Sequence, residues 1–383
     1  MVEPVASSCR FLLQMPPEGI IFNELCNLFA SVVDKDGRPR RLSAVSRRDY
    51  NKWTEGSLEV SLAESVLDSV GDTPLVRLKR ISKGLRPSIC AKLEFMNPGG
   101  SVKDRIASYL VAEAEKKRLL KKGGTIIEPT SGNTGVGLAM LAAVKGYKAV
   151  FTMPDKVSEE KRALLRAYGA KLVIAPTELP PSSPDHYVNV ARRLQKKTPN
   201  SFMPNQYENL ANPQAHYATT GPEIWHQTGG RVDALVAGVG TGGTISGAGR
   251  YLKERKKSLL VVGVEPEGSI YGNLKHGTDE PLHPYLVEGV GEDFVPRTYD
   301  QSVVDEIVTV SDARSIATAH LLAAREGILA GGSSGTAVAG ALDLAKRKPD
   351  LKMIVVILPD SGRSYLSKVY NPVWLKKHGL SQD

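Results

Sequence analysis

Cysteine is scarce in this chain: three in 383 residues, Cys9, Cys26 and Cys90, with no CxxC spacing and no His-rich tract. Neither a zinc site nor a disulfide framework is therefore indicated, and a reducing compartment is expected. No run of about 18 apolar residues occurs, so no membrane span is expected. The opening MVEPVASSCRFLLQMPPEG lacks the basic start and cleavage site of a secretory signal. Glu3, Glu18, Glu24, Asp34 and Asp36 argue against an organellar leader, which leaves the cytoplasm as the expected location. Repeats at a solenoid period are also missing. The net charge of +9 is thinly spread, densest at Arg38, Arg40, Arg41, Arg47 and Arg48, so neither nucleic acid nor a membrane surface is an expected partner.

What is present is a chain long enough for roughly two domains of about 150 residues, with 41% hydrophobic residues to fill their cores. Residues 1–60 carry turn signals, Pro16-Pro17 and Asp36-Gly37, and weak periodicity; they read as an appended extension of unassigned role. From Val70 onward short β-branched runs alternate with amphipathic stretches. TIIEPT is followed by GVGLAMLAAVKG, YKAVFTMP by SEEKRALLRAYG, KLVIAP by HYVNVARRLQKK, and DALVAGV by TISGAGRYLKER. LLVVGVEP, IVTVSD with ARSIATAHLLAAREG, and MIVVILP continue the pattern. Strict alternation implies βαβ crossovers and buried parallel sheets, hence an α/β fold. Residues 176–184 and 272–286 read as surface loops.

Four loops place glycines before the first turn of an expected helix: NPGGSVKDR (97–105), TSGNTG (130–135), GVGTGGTISG (238–247) and GGSSG (331–335). Free backbone N–H groups at the positive end of a helix dipole suit an anion. Taken singly, each is equally a tight turn with no ligand. Gly238-x-Gly240-x-x-Gly243 also fits the dinucleotide fingerprint, with Glu265 as its distal acid. Against that oxidoreductase reading, GTGGT makes a longer cup than a dinucleotide turn needs, and the other three loops go unexplained. A phosphomonoester held by the amides of Gly240, Thr241, Gly242, Gly243 and Thr244, with the Thr241 and Thr244 hydroxyls, accounts for more. With no Lys or Arg in the loop, the helix terminus must offset most of the charge.

In this order, GGSVKDR, EPTSGNTG, GVGTGGT and GGSSG resemble the cystathionine β-synthase and cysteine synthase family of fold-type-II pyridoxal-phosphate enzymes, over about Ser69 to Trp374. The resemblance implies two three-layer αβα domains with mostly parallel sheets and the cofactor in the cleft between them, the smaller domain closing over substrate. It places residues 97–207 in one domain and 61–96 with 208–383 in the other, and it implies a homodimer. Pyridoxal 5′-phosphate is the implied cofactor, carried by Lys103 as a Schiff base. Asn133 would contact the ring hydroxyl, and Ser333 the pyridine nitrogen. Thr130, Ser131, Gly132, Thr134 and Gln206 would hold the substrate carboxylate. A neutral hydroxyl at Ser333 leaves the ring less electron-withdrawing than an Asp would, favouring β-elimination over transamination. Chemically, a desolvated lysine can both attack a carbonyl and act as a base.

Within the family, VEPEGSI (264–270), VEGVGEDF (287–294), LPDSGRSYLSK (358–368) and SPDHYVNVARRL (183–194) resemble the cystathionine-forming members. The implied reaction joins L-serine to L-homocysteine by β-replacement, the transsulfuration step, with hydrogen sulfide release from cysteine as a side activity. Cysteine synthesis from O-acetylserine and sulfide is the alternative, and a non-catalytic homologue would have lost Lys103 or Asn133. Three departures stand out. Every His lies at or beyond His186, so Cys9 and Cys26 have no local partner for haem, which is not expected. The sequence stops soon after Trp374, so a C-terminal pair of regulatory repeats is not expected. Some relatives carry Tyr at the position of Glu292, which bears on the second substrate's pocket.

Overall fold

The structure is a computed structural model that describes residues 62–380; the extension read at 1–60, with Cys9, Cys26 and the arginine cluster, lies outside the described residues. In chain order the strands are β1 (Leu75–Arg77), β2 (Ser88–Leu93), β3 (Thr125–Pro129), β4 (Lys148–Pro154) and β5 (Lys171–Ala175). There follow β6 (Ser201–Phe202), β7 (Ala234–Gly238), β8 (Leu260–Pro266), β9 (Glu306–Val310) and β10 (Met353–Leu358). The helices are α1 (Lys103–Lys116), α2 (Asn133–Lys145), α3 (Glu159–Ala167), α4 (Tyr187–Lys197) and α5 (Ala211–Ala218). The set continues with α6 (Thr220–Thr228), α7 (Gly243–Arg255), α8 (Tyr271–His276), α9 (Asp312–Leu321), α10 (Gly332–Arg347) and α11 (Pro372–Lys377).

The strands form a six-stranded sheet in the order β1-β2-β10-β7-β8-β9 and a four-stranded sheet in the order β5-β4-β3-β6. Every pairing is parallel except β1 with β2. The expected α/β fold of two mostly parallel sheets is therefore present. Adjacent side chains of the large sheet point to opposite faces, and both faces are covered: Val236, Val262 and Val356 enter one apolar core, Leu235, Val261 and Val355 another. Two-sided burial is why these strands read as continuous aliphatic runs rather than alternating ones, each buried Val or Leu contributing roughly 1.5–3 kcal/mol. A third core, with Ile126, Phe151, Leu138 and Val111, packs the small sheet against α1 and α2.

Two readings of the sequence need correction. The stretch 272–286 is not all loop, because its first residues belong to α8. Glu265 explains this: its carboxylate accepts the N–H groups of Tyr271 (2.9 Å) and Gly272 (2.8 Å), satisfying donors that a helix start otherwise leaves unpaired. The same contacts remove the acid that a dinucleotide site would need, since Glu265 is buried in this capping role. ARSIATAHLLAAREG is not one uniform helix either, because α9 widens to a π turn over Leu322–Glu326 and stops at Gly327, whose φ of 72° suits glycine.

Candidate active site

The four glycine-rich loops are gathered at the C-terminal ends of parallel strands, where α/β sheets bind ligands. TSGNTG leaves β3 and enters α2, GVGTGG leaves β7 and enters α7, and the Pro359-Asp360 end of β10 meets the loop before α1 through Val102 N–H donating to Pro359 O (2.8 Å). Gly332 opens α10. Lys103, Thr130, Ser131, Gly132, Asn133, Thr134, Gln206, Gly240, Thr241 and Ser333 all line one cavity of about 420 Å³. Gly242 and Thr244 line a recess of about 30 Å³ that also includes Lys103, Gly240, Thr241 and Ser333. Gly243 touches neither space; it is a packing position, where any Cβ would overlap the Asn212 carboxamide of α5. Gly242 is the turn itself, with φ at 76°.

Lys103 is the first residue of α1, and its amine makes no hydrogen bond or ion pair among the described residues. Burial pushes its pKa down from the usual lysine value, opposed by the carboxylates of Asp360 and Glu292. A neutral amine in an enclosed cavity is a nucleophile and a base. The residue behind it is anchored hard. Arg105 bonds Glu94 (2.6 Å) and Glu223 (2.6 Å), and Lys92 joins Glu223 (2.6 Å), all on buried or nearly buried side chains. These contacts hold Glu223 down at about 2, although burial alone would raise it, and tie α1 to β2 and α6. Asp104, next to Lys103, receives Gly99 N–H (2.7 Å), and burial raises it to about 7.

On the opposite wall, Thr134 Oγ1 donates to Gln206 Oε1 (2.6 Å). Glu128 on β3 accepts the backbone N–H groups of Asn205 (2.9 Å) and Gln206 (3.1 Å), and its burial raises it to about 7. Beneath the glycine cup of β7, the buried His216 ring bonds Thr220 Oγ1 through Nδ1 (2.8 Å) and Thr244 Oγ1 through Nε2 (3.2 Å). Burial, and after it the Arg105 guanidinium, holds its pKa well below the usual histidine value, so the ring is neutral. Asn212 Nδ2 donates to Thr241 Oγ1 (3.1 Å).

The sequence alone assigns no role to His216, Asn212, Glu128 or Asp360, whereas Tyr207, directly after Gln206, leans toward the cystathionine-forming members. Asp360 falls within LPDSGRSYLSK, and a carboxylate directly after a buried strand and a proline is its one signal in the sequence. Glu292 lines the cavity, raised to about 7 chiefly by burial and held down by Tyr207 and Lys103.

Pyridoxal 5′-phosphate fits these residues. A partly buried, unpaired lysine amine faces a cavity large enough for a cofactor with a small substrate, and the adjoining recess is lined by glycines and threonine hydroxyls at a helix N-terminus, a terminus that favours an anion. Fold and site thus define an enzyme of the fold-type-II class. The sequence profile of the pyridoxal-phosphate dependent enzyme family matches residues 66–360, most of the chain. The chain belongs to the pyridoxal-phosphate dependent enzyme family, and its cofactor is pyridoxal 5′-phosphate. It is 49% identical over 319 residues to cystathionine β-synthase of Apis mellifera, covering 83% of this chain and 63% of that one. The chain therefore spans less than two thirds of that relative's length. Among solved structures, a hydrogen sulfide-producing enzyme of Fusobacterium nucleatum shares 39% identity at a TM-score of 0.74, covering 79% of this chain and 97% of the other. An O-acetylserine dependent cystathionine β-synthase of Helicobacter pylori shares 38% identity at a TM-score of 0.74, covering 81% and 99%.

Proposed function

We propose that this chain condenses L-serine with L-homocysteine to cystathionine by β-replacement, releasing hydrogen sulfide from cysteine as a side activity. The observation that carries the reading is the unpaired Lys103 amine sharing one cavity with the Thr130–Thr134 loop and Gln206. The honeybee relative supports the choice of reaction.

When bound, pyridoxal phosphate supplies an electron sink that acidifies the Cα–H of an attached amino acid and loosens its β-substituent. The rest falls to the chain. Lys103 Nζ, its pKa lowered by desolvation, takes the Cα proton and later returns it. The start of α2, Thr134 N–H included, offers backbone N–H groups to a carboxylate, joined by the hydroxyls of Thr130 and Ser131 and by the Gln206 NH2 group, which the Thr134 hydroxyl orients. Asn133 would face the ring hydroxyl and Ser333 the ring nitrogen. The cup from Gly240 to Thr244 would hold the phosphate, with a neutral His216 bonding Thr244 without adding charge. Residues that follow strands of both sheets line the cavity and shield the reacting carbon on those sides.

The H. pylori neighbour favours a second reading of the donor, O-acetylserine in place of serine. Assaying the purified, cofactor-loaded protein with serine or O-acetylserine, each against homocysteine or sulfide, separates the readings. Highest turnover with serine and homocysteine is expected; a large preference for O-acetylserine plus sulfide would make the chain a cysteine synthase. The reading includes a division of residues 97–207 from 61–96 with 208–383, supported by β3 to β6 falling in the first segment while β1 and β2 join β10 in the second. It also includes a homodimer in the cytoplasm. Among the described residues no helix is long and apolar enough to cross a membrane, and light scattering of the purified protein reads the subunit number.

A further inference from the structure

Asp360 sits where three loops of the cavity meet. Its backbone bridges to Ser101 before α1, and its carbonyl accepts Gly331 N–H (3.1 Å) before α10. Its side chain is fully buried, and Oδ2 accepts two hydrogen bonds, from Asn133 Nδ2 (2.8 Å) and from the Tyr365 hydroxyl (2.6 Å). Oδ1 has no hydrogen-bond partner among the described residues. The fold has made room for that oxygen, because a Cβ at residue 331 would overlap it, so only glycine fits. A buried carboxylate with one oxygen unpaired costs stability, on the order of 1–3 kcal/mol for an unsatisfied polar group. Keeping it calls for a function.

Asn133 supplies one. Its carboxamide can present either an oxygen or an NH2 group to a ligand, and rotation by half a turn exchanges them at little steric cost. Asp360 Oδ2 acts as an acceptor, taking the Tyr365 hydroxyl as well, so it admits only the orientation that turns Nδ2 toward it. We propose that Asp360 is the positioning residue of Asn133: it locks the carboxamide so that the second Nδ2 hydrogen serves the ring hydroxyl of the cofactor. The proposal rests on the reading that Asn133 meets that hydroxyl.

A carboxylate beside Lys103 could instead act on the cofactor by charge alone, and a double-mutant cycle separates the two routes. The visible absorption of the cofactor-loaded protein is titrated with pH in the wild type, Asp360→Ala, Asn133→Ala and the double variant. Each single variant is expected to move the apparent pKa of the visible band in the same direction, by roughly one unit for a lost hydrogen bond to the charged form. The double variant is expected to match Asn133→Ala, because Asp360 then has nothing to orient. Asp360→Asn, whose Oδ1 still accepts, is expected to recover most of the shift. An Asp360 shift that persists undiminished in the Asn133→Ala background, or no shift at all in Asp360→Ala, overturns the proposal. If Asp360→Ala does not fold, Asp360→Ser, one bond too short to reach Asn133, replaces it under the same criteria. A wild type with no visible band overturns the cofactor reading and this proposal with it, whereas a band in every variant leaves that reading standing whichever way the shifts fall.

Discussion

Thr134 Oγ1 donates to Gln206 Oε1 along one wall of the cavity at 2.6 Å, joining residues 72 positions apart. The bond occupies the amide's acceptor and leaves its NH2 group as the part that can meet a carboxylate. Thr134→Val keeps the shape and removes the donor, so the amide is free to turn its oxygen toward the same carboxylate. KM for the amino-acid donor should rise about five- to tenfold, the equivalent of one ordinary hydrogen bond, with kcat less affected. Steady-state kinetics read this directly.

Lys103→Ala should abolish turnover, leaving less than about a thousandth of the wild-type rate, since one amine is both attachment point and base. Borohydride reduction of the wild type followed by peptide mass spectrometry should place a pyridoxyl group on the Lys103 peptide. A label on any other lysine would refute the assignment.

The buried charges behind Lys103 should respond steeply to truncation. Arg105→Ala strands Glu94, whose side chain is fully buried, and leaves Glu223 with Lys92 alone. Removing one member of a buried ion pair costs roughly 3–5 kcal/mol. The urea midpoint should fall accordingly, while Arg86→Ala, at an exposed pair with Asp350, should leave it nearly unchanged.

Glu128 sets a pH dependence of stability. Burial raises its folded-state pKa from 4.5 to about 7, so folding favours the protonated carboxyl. That preference is fully present below about 4.5 and is lost as pH rises through about 7. Relative to Glu128→Gln, which does not titrate, the wild type should lose up to roughly 3 kcal/mol between those limits. Denaturation midpoints at several pH values test the sign, which would be opposite if the paired backbone N–H groups dominated.

How much of this was legible follows from which forces act locally. Strands β7, β8 and β10 were readable because burial on both faces demands aliphatic residues in succession, and α2 and α7 because a glycine-rich start precedes each. Gly242 and Thr244 were readable as parts of a cup, whereas the packing role of Gly243 depends on Asn212 in another helix. Helix α8 escaped notice since its six residues are begun by Glu265, a carboxylate supplied by the preceding strand. His216 and Asp360 carry no periodic signature. Each matters through one partner far along the chain, Thr244 and Asn133, and such pairings appear only once the chain has folded.

The missing side chain at position 331 has an evolutionary and experimental corollary. A saturation library at that codon should return a single surviving letter wherever Asp360 is kept, while at neighbouring Gly332, whose nearest would-be contact is Val287 at 3.3 Å, small substitutions should survive. Position 331 is thus held to glycine by two neighbours, Asp360 and Tyr365, whereas residue 360 is under no matching constraint from a residue that has no side chain.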